Sequence, residues 1–287
     1  MTIPISFEFY PPKTDEQRAQ LDRTAARLRE LDPQYVSCTF GAGGSTLSYT
    51  PETIERLHQQ HQLEAAPHVS CVGGTRAELS ELIQRYKAMG CKRIVALRGD
   101  LPSGMGHTGD FRYASDLVEF IRREHDGFFH IEVAAYPECH PQAESPAADL
   151  DTLKLKLDAG AARAITQFFF EPDCFLNFRD RAMAAGIDKP IVPGVLPIFD
   201  FAKVVEFSRR CRATLPRWLV ERFQGVAGDR ETSLSLAADT AAELCRRLRA
   251  EGVDSFHFYT INRAGLTLAV CRGLGLGAET VAAEEAA

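Results

Sequence analysis

Short apolar runs bounded by turn residues recur along this chain at a nearly constant spacing, and that recurrence constrains the fold more than any other feature. The runs are Ile5–Phe9, Tyr35–Phe40, Ala66–Val72, Arg93–Arg98, His130–Tyr136, Ala164–Phe170, Ile191–Leu196 and Ser255–Ile261. Each has the length and β-branched or aromatic content of a buried strand. Their starts repeat about every 30 residues, the size of one βα unit. Eight such units predict one closed (β/α)8 barrel of the TIM type, with residues 1–277 as a single catalytic-sized domain and 278–287 as a frayed tail. The seventh interval is about twice as long, so extra helices are expected before the eighth strand, around Pro216–Phe223 and Glu231–Glu251. An open doubly wound sheet is the competing architecture, and it requires a reversal of strand order.

Helices between the runs carry their own punctuation. Thr14-Asp15-Glu16-Gln17 and Thr75-Arg76-Ala77-Glu78 match the capping box, while Thr50-Pro51 and Ser145-Pro146 pair an N-cap with proline at the first helical position. Gly90, Gly160, Gly186 and Gly252 each stand where a helix should stop in a left-handed residue. Leu21, Ala25 and Leu28 share one helical face, as do Leu150, Leu153 and Leu157.

Charge and cysteine usage narrow the partners. With 33 basic against 39 acidic residues the net charge is −6, and no block of either sign offers a footprint for nucleic acid or an anionic membrane. The first residues have neither a basic nor an apolar leader region, and no run of about 18 uncharged apolar residues occurs, so a cytoplasmic protein is expected. The eight cysteines form no C-x-x-C pair and lie mostly in apolar runs, which reads as small buried hydrophobes in a reducing compartment.

In an α/β barrel, chemistry gathers at the carboxyl ends of the strands. Polar residues there are Glu8, Thr39, His68, Arg98 with Asp100, Tyr136 with Glu138 and His140, Gln167, and Tyr259 with Asn262 and Arg263. A carboxylate inside Ser6-Phe7-Glu8-Phe9-Tyr10 is costly to bury unless it is paired or working. Any one of these residues alone reads as a satisfied rim residue; seven strands behaving alike read as a site. Arg98, His140, Lys154 and Lys156, with the helix start at Ser145-Pro146, suit a phosphate-bearing ligand. Two other patterns are decoys. Gly104-Met105-Gly106-His107-Thr108-Gly109 spells a dinucleotide fingerprint but lies beyond its strand rather than opening a helix from it. His68 with Cys71, and Cys139 with His140, lack the further ligands a zinc site needs, so no metal is expected.

These residues together resemble the bacterial 5,10-methylenetetrahydrofolate reductases over roughly Ile5 to Leu276. The likeness is carried by Ser6-Phe7-Glu8-Phe9-Tyr10-Pro11-Pro12, Cys38-Thr39-Phe40-Gly41-Ala42, Ala65-Ala66-Pro67-His68, Val95-Ala96-Leu97-Arg98-Gly99-Asp100-Leu101-Pro102, Ala134-Ala135-Tyr136-Pro137-Glu138, Ile165-Thr166-Gln167-Phe168-Phe169-Phe170 and Phe256-His257-Phe258-Tyr259-Thr260-Ile261-Asn262-Arg263. The resemblance implies a barrel flavoenzyme with non-covalent FAD, in which NADH or NADPH reduces the flavin and the flavin then reduces methylenetetrahydrofolate in the same pocket. It implies Glu8 as general acid and Asp100 as an electrostatic stabiliser. Thr39, His68, Arg98, Gly99, Asp100, Tyr113, Ala114, Tyr136, His140, Asp149 and Lys156 match flavin-holding positions, and Gln167, Lys203, Phe207, Tyr259 and Arg263 match folate-side positions. Small molecules are the implied partners, and a homo-oligomer is the expected assembly.

The chain departs from the family pattern at Phe40, where tyrosine is common, at Tyr10, where phenylalanine is usual, and at Lys203, where a glutamine often contacts folate. A lysine at that place suits the glutamyl carboxylates instead. The regulatory domain of eukaryotic members, which responds to S-adenosylmethionine, is expected to be missing. Three alternatives stand beside this reading. They are a non-catalytic flavin or folate carrier, a zinc-dependent barrel methyltransferase, and a flavin barrel of the proline dehydrogenase kind.

Overall fold

The computed structural model describes residues 3–40, 49–71, 74–99 and 109–276. Asp100, most of the Gly104–Gly109 loop and the 278–287 tail lie outside them.

Parallel strands alternate with helices throughout. The order runs β1 (Ile5–Phe9), α1 (Asp15–Arg29), β2 (Tyr35–Cys38), α2 (Tyr49–Gln59), β3 (Ala65–Ser70), α3 (Arg76–Ala88), β4 (Arg93–Leu97), α4 (Ala114–His125), β5 (His130–Ala135), α5 (Pro146–Asp158), β6 (Arg163–Thr166) and α6 (Pro172–Ala184). It continues through β7 (Ile191–Val192), β8 (Gly194–Val195), α7 (Phe201–Cys211), α8 (Arg217–Gly225), α9 (Arg230–Ala250), β9 (Phe256–Tyr259) and α10 (Ala264–Gly273). The sheet order is β7-β6-β5-β4-β3-β2-β1-β9-β8. Its two ends, β7 and β8, are consecutive in the chain and separated only by Pro193. They are halves of one seventh barrel strand, the first paired with β6 and the second with β9, so the barrel closes. Proline has no amide to donate, which interrupts the ladder, while its carbonyl still accepts from the His257 amide at 3.1 Å.

Most expected strands end sooner than their apolar runs. The sixth stops at Thr166, and Phe168 and Phe170 instead join Leu196, Ile198, Val204, Leu219 and Phe223 in a second core. That core explains the long seventh interval: α8 and α9 fold back to cover residues leaving the barrel rim.

Alternation along the strands sorts the main core from the barrel interior. Ile5, Phe7, Phe9, Val36, Cys38, Val69, Ile94, Ala96, Ile131, Val133, Phe256 and Phe258 point outward and pack beneath the helices. Inside stand Ser6 and Glu8, Tyr35, His68, Arg93, Glu132, Arg163, His257 and Tyr259, around a small apolar layer of Ala66, Val95 and Ile165.

The punctuation holds in most places. Thr75 and Glu78 complete a capping box, Ser145 caps α5 ahead of Pro146, and Gly90, Gly160, Gly186 and Gly252 have positive φ. Two expectations fail. Gln17 returns its side chain to the Lys13 amide rather than to Thr14, and Thr50 lies within α2 with its hydroxyl donating to the Thr39 carbonyl at 3.1 Å. The cysteines of the described chain are all free thiols. Five are buried; Cys139, Cys174 and Cys211 are half-buried.

Candidate active site

Three clusters meet at the carboxyl ends of the strands. The central one is built on Glu8, whose strand is apolar on its outer face and therefore turns the carboxylate into the barrel. Its Oε2 lies 3.5 Å from His68 Nε2 on β3 and 3.8 Å from His257 Nε2 on β9. The Glu8 side chain keeps 20% of its surface exposed, so it is reachable from the mouth of the barrel. Burial raises its pKa above the ordinary carboxylate value, with the nearby His68 acting in the opposite sense. The same burial lowers the pKa of His68, and Glu8 opposes that shift. A carboxyl whose protonated form is favoured by burial, beside an imidazole whose charging burial disfavours, has the composition of a proton donor. Tyr259 completes the cluster; its hydroxyl donates to the Thr166 carbonyl at 2.7 Å.

The second cluster lies beyond β4 and β5. Arg98 donates to Gln142 through one guanidinium nitrogen and to the Gly99 carbonyl through Nε at 3.3 Å. Gly99 itself has φ +87°, the left-handed region that lets the chain turn away from β4. The Tyr136 and His140 rings meet edge to face with centroids 4.6 Å apart, and the His140 amide donates to Asp149 at 2.8 Å. Lys156 is buried under the same loop and donates to the Ala134 carbonyl at 2.5 Å. Desolvation pushes its pKa down to about 8, with Asp149 opposing.

The third cluster is at the rim. Lys203 and Phe207 are four residues apart on α7 and so share one face. The Lys203 ammonium lies 5.8 Å and the Arg263 guanidinium 5.0 Å from the centroid of the Phe199 ring. Phe207 is exposed.

Other expected site residues behave differently. Thr39 follows β2, its amide donating to Phe9 at 2.9 Å. Tyr113 and Ala114 open α4; Tyr113 is exposed under the Arg112 guanidinium and Ala114 is buried. Gln167 turns its side-chain oxygen onto the next amide, Phe168, at 3.0 Å. Lys154 does not join Lys156: it reaches Asp158 at 3.5 Å on the solvent face of α5. Glu138 and Asn262 are structural. The first ties down Thr214, and the second is buried and clamps both backbone groups of Tyr10. Phe199, Ser6, Tyr35, Glu132, Arg163 and His257 were not among the expected site residues. Glu132 carried the same signal as Glu8, a carboxylate within an apolar strand.

Comparison with known proteins agrees with this geometry. The family model described as methylenetetrahydrofolate reductase matches residues 1–275. The chain belongs to the methylenetetrahydrofolate reductase family. It is 44% identical over 274 residues to the 5,10-methylenetetrahydrofolate reductases of Pectobacterium carotovorum subsp. carotovorum and Escherichia coli, covering 96% of this chain and 91% of each relative. It is 33% identical to methylenetetrahydrofolate reductase (NADH) 1 of Arabidopsis thaliana, covering 95% of this chain and 48% of that one. Family membership makes it an oxidoreductase of folate-dependent one-carbon metabolism. An uncharacterized protein from Clostridium thermocellum that binds two copies of 5-methyl-5,6,7,8-tetrahydrofolic acid shares the fold, with a TM-score of 0.63 at 14% identity over 97% of this chain and 96% of that one. No described helix is long and apolar enough to cross a membrane.

Proposed function

We propose that this chain binds FAD non-covalently at the mouth of the barrel and uses NADH or NADPH to reduce 5,10-methylenetetrahydrofolate to 5-methyltetrahydrofolate in two half-reactions that share one pocket. The observation that carries the reading is Glu8, a reachable carboxyl with a raised pKa 3.5 Å from His68 at the strand ends. The residues around it fit the flavin. Lys156 and Arg98 supply cationic donors for a diphosphate, the buried His68 Nε2 has no hydrogen-bond partner, Tyr136, His140 and Asp149 stand together beside Lys156, and Thr39, Gly99, Tyr113 and Ala114 are proposed as further contacts. A flavin held there would supply hydride transfer between the nicotinamide and the folate.

Glu8 serves the second half-reaction. The imidazolidine ring of methylenetetrahydrofolate opens to an iminium ion only when a proton reaches a weakly basic nitrogen, and a buried carboxyl whose protonated form is favoured is suited to deliver it. Asp100 is proposed to stabilise the resulting cation, and Gln167 and Tyr259 to hold the pterin. Phe207 stacks on the aminobenzoyl portion, and Arg263 and Lys203 draw in the glutamyl carboxylates. A homo-oligomer in the cytoplasm remains the proposed state of the enzyme.

Stopped-flow measurement of each half-reaction tests the reading. Purified protein should carry flavin absorbance or gain it on adding FAD, bleach anaerobically with NADH or NADPH, and recover with methylenetetrahydrofolate. Glu8→Gln should bleach at close to the normal rate and lose about 10²–10⁴ in the folate step, the usual worth of a positioned proton donor. A variant that binds FAD and reoxidises within about tenfold of wild type overturns Glu8 as the acid.

A further inference from the structure

The barrel interior holds more polar side chains than the proposed reaction uses, and several of them are strung in one line from Glu132 to His257, which faces Glu8. Glu132 is fully buried on β5, its Oε1 3.1 Å from Arg163 Nε and 3.2 Å from Arg93 Nη1. Its Oε2 accepts from the Tyr35 hydroxyl at 2.6 Å. The Tyr35 oxygen accepts from Arg163 Nη2 at 2.9 Å, and Ser6 lies close enough to act on the same hydroxyl. Ser6 Oγ lies 2.8 Å from His257 Nδ1. The buried Nε2 of His257 has no hydrogen-bond partner and faces Glu8 Oε2 at 3.8 Å.

Counting protons sets the direction of this line. A carboxylate paired with two guanidinium groups only accepts, so the single phenolic proton of Tyr35 is committed to Glu132. Tyr35 has no proton to offer Ser6, so in the arrangement we propose the Ser6 hydroxyl turns its own proton toward Tyr35 and has none left for His257. It accepts from His257 instead, which puts the ring hydrogen on Nδ1 and leaves Nε2 a bare lone pair. Burial first, with Arg163 adding and Glu132 opposing, pushes the His257 pKa down to about 4, so the ring is neutral in the working range. An acceptor facing a carboxyl favours its protonated form, whereas an N–H donor there favours the ionised form.

We propose that His257 is a positioning residue, locked by Ser6, Tyr35 and Glu132 as its Nδ1–H tautomer, whose bare Nε2 accepts the proton of the Glu8 carboxyl and keeps the acid loaded between turnovers. Rotation of the Glu8 carboxyl closes the 3.8 Å separation to a hydrogen bond. The functional meaning rests on Glu8 being the acid of the proposed reaction. Other groups face the pair: His68 from β3 approaches the same oxygen at 3.5 Å, Tyr259 from β9 feels the Glu8 charge, as does Cys38 on the outer face of β2, and Glu132 and Arg163 act on His257. Ser6→Ala leaves the printed bonds of all these groups in place, whereas Tyr35→Phe also removes a hydrogen-bond partner from Arg163 and Glu132, so Ser6→Ala is the cleaner of the two variants below.

Two measurements decide it. Long-range ¹H–¹⁵N correlation of the histidine rings in the full chain reads the tautomer directly, with the His257 signals identified by their loss in His257→Asn or, if that variant does not fold, by their selective shift in Ser6→Ala. The Nδ1–H pattern is expected, and an Nε2–H pattern overturns the proposal whatever the enzyme catalyses. In kinetics, Ser6→Ala and Tyr35→Phe free the ring to present a donor. The alkaline limb of the folate half-reaction should move down by about one pH unit, a rate loss of about tenfold on that limb, since one pKa unit is a factor of ten. The nucleotide half-reaction should be retained, and Ser6→Thr should restore the limb. A limb that stays in place, or equal slowing of both half-reactions, overturns the proposal. Failure of the underlying reading looks different: wild type shows no folate half-reaction, or Glu8→Gln leaves it unaffected.

Discussion

The Tyr259 hydroxyl donates to the Thr166 carbonyl at 2.7 Å and so ties β9 to β6 directly across the place where the seventh strand breaks. Between them runs Gly194, and only a residue without a side chain allows that approach. A Cβ there would stand 2.1 Å from the Thr166 oxygen and 2.7 Å from the Tyr259 ring, and the oxygen is backbone and has little room to move.

Gly194→Ala is therefore expected to destabilise the fold by about 1–3 kcal/mol or more, as overpacking of a closed core does. Tyr259 should also swing away from Glu8, so the folate half-reaction should suffer more than the melting temperature alone accounts for. Chemical denaturation of the variant checks the first part and stopped-flow reoxidation the second; a loss below about 0.5 kcal/mol, the level of ordinary surface substitutions, would show that the strand break relaxes.

Glu8 is expected to trade stability for activity. Burial raises its pKa in the folded state, so above that pKa the native chain carries a carboxylate that the unfolded chain solvates better. This cost is present at high pH and is relieved as pH falls through the folded value, where Glu8 takes up its proton. Glu8→Gln should accordingly melt higher than wild type at pH 8, with the gap narrowing toward pH 5. Melting curves across that range test it, and a wild type more stable than the variant at pH 8 would show instead that His68 and His257 hold Glu8 as an ion.

Much of this molecule could be read from residue order, and the limits have physical causes. All eight strands and the excursion before the last one follow from spacing, because a βα unit has a narrow size range. The break at Pro193 did not follow, since a proline at a strand's centre reads equally as an edge or a bulge. Glu8, His68 and Tyr259 were legible because they are polar residues near strand ends. Tyr35, Arg93 and Arg163 open their strands at the opposite end of the barrel, where stability rather than chemistry is expected, and only the closed barrel stacks them under Glu132. Phe199 was missed because its role comes from two cations brought to it by α7 and the start of α10.

Lys156 is expected to matter for cofactor retention more than for folding. Its pKa falls from 10.5 to about 8 on burial, so below about 8 the native chain bears the full cost of a desolvated ammonium, and stability from this group rises as pH climbs from about 8 toward 10.5. Lys156→Met removes that cost, and the apoprotein should melt no lower than wild type at pH 7. Removing a cation from a diphosphate contact should weaken FAD binding by about 1.5–3 kcal/mol, tenfold or more in Kd. Fluorescence titration of the apoprotein with FAD measures this. An unchanged Kd with a lower melting temperature would assign Lys156 to its bond with the Ala134 carbonyl alone.

Lys203 provides the sharpest test of the rim. Its ammonium is mostly exposed, 4.0 Å from Asp200 and 5.8 Å from the Phe199 ring, and Arg263 shares that ring from the other element. Asp200 is already engaged, one of its carboxylate oxygens capping α7 through the Lys203 amide at 3.1 Å, and an exposed pair of this kind is worth little. Two cations on one aromatic ring thus leave a net positive edge suited to the carboxylates of a glutamyl tail. Lys203→Ala should raise the KM for methylenetetrahydrofolate by the equivalent of about 1–2 kcal/mol, as for a charge-assisted contact, with NADH or NADPH oxidation barely altered. Added salt should shrink the difference, because an exposed contact is screened. The effect should also grow with the number of glutamates on the substrate. Equal changes in both half-reactions, or no change in either, would make Lys203 a solvated residue of α7 and leave Arg263 as the anchor.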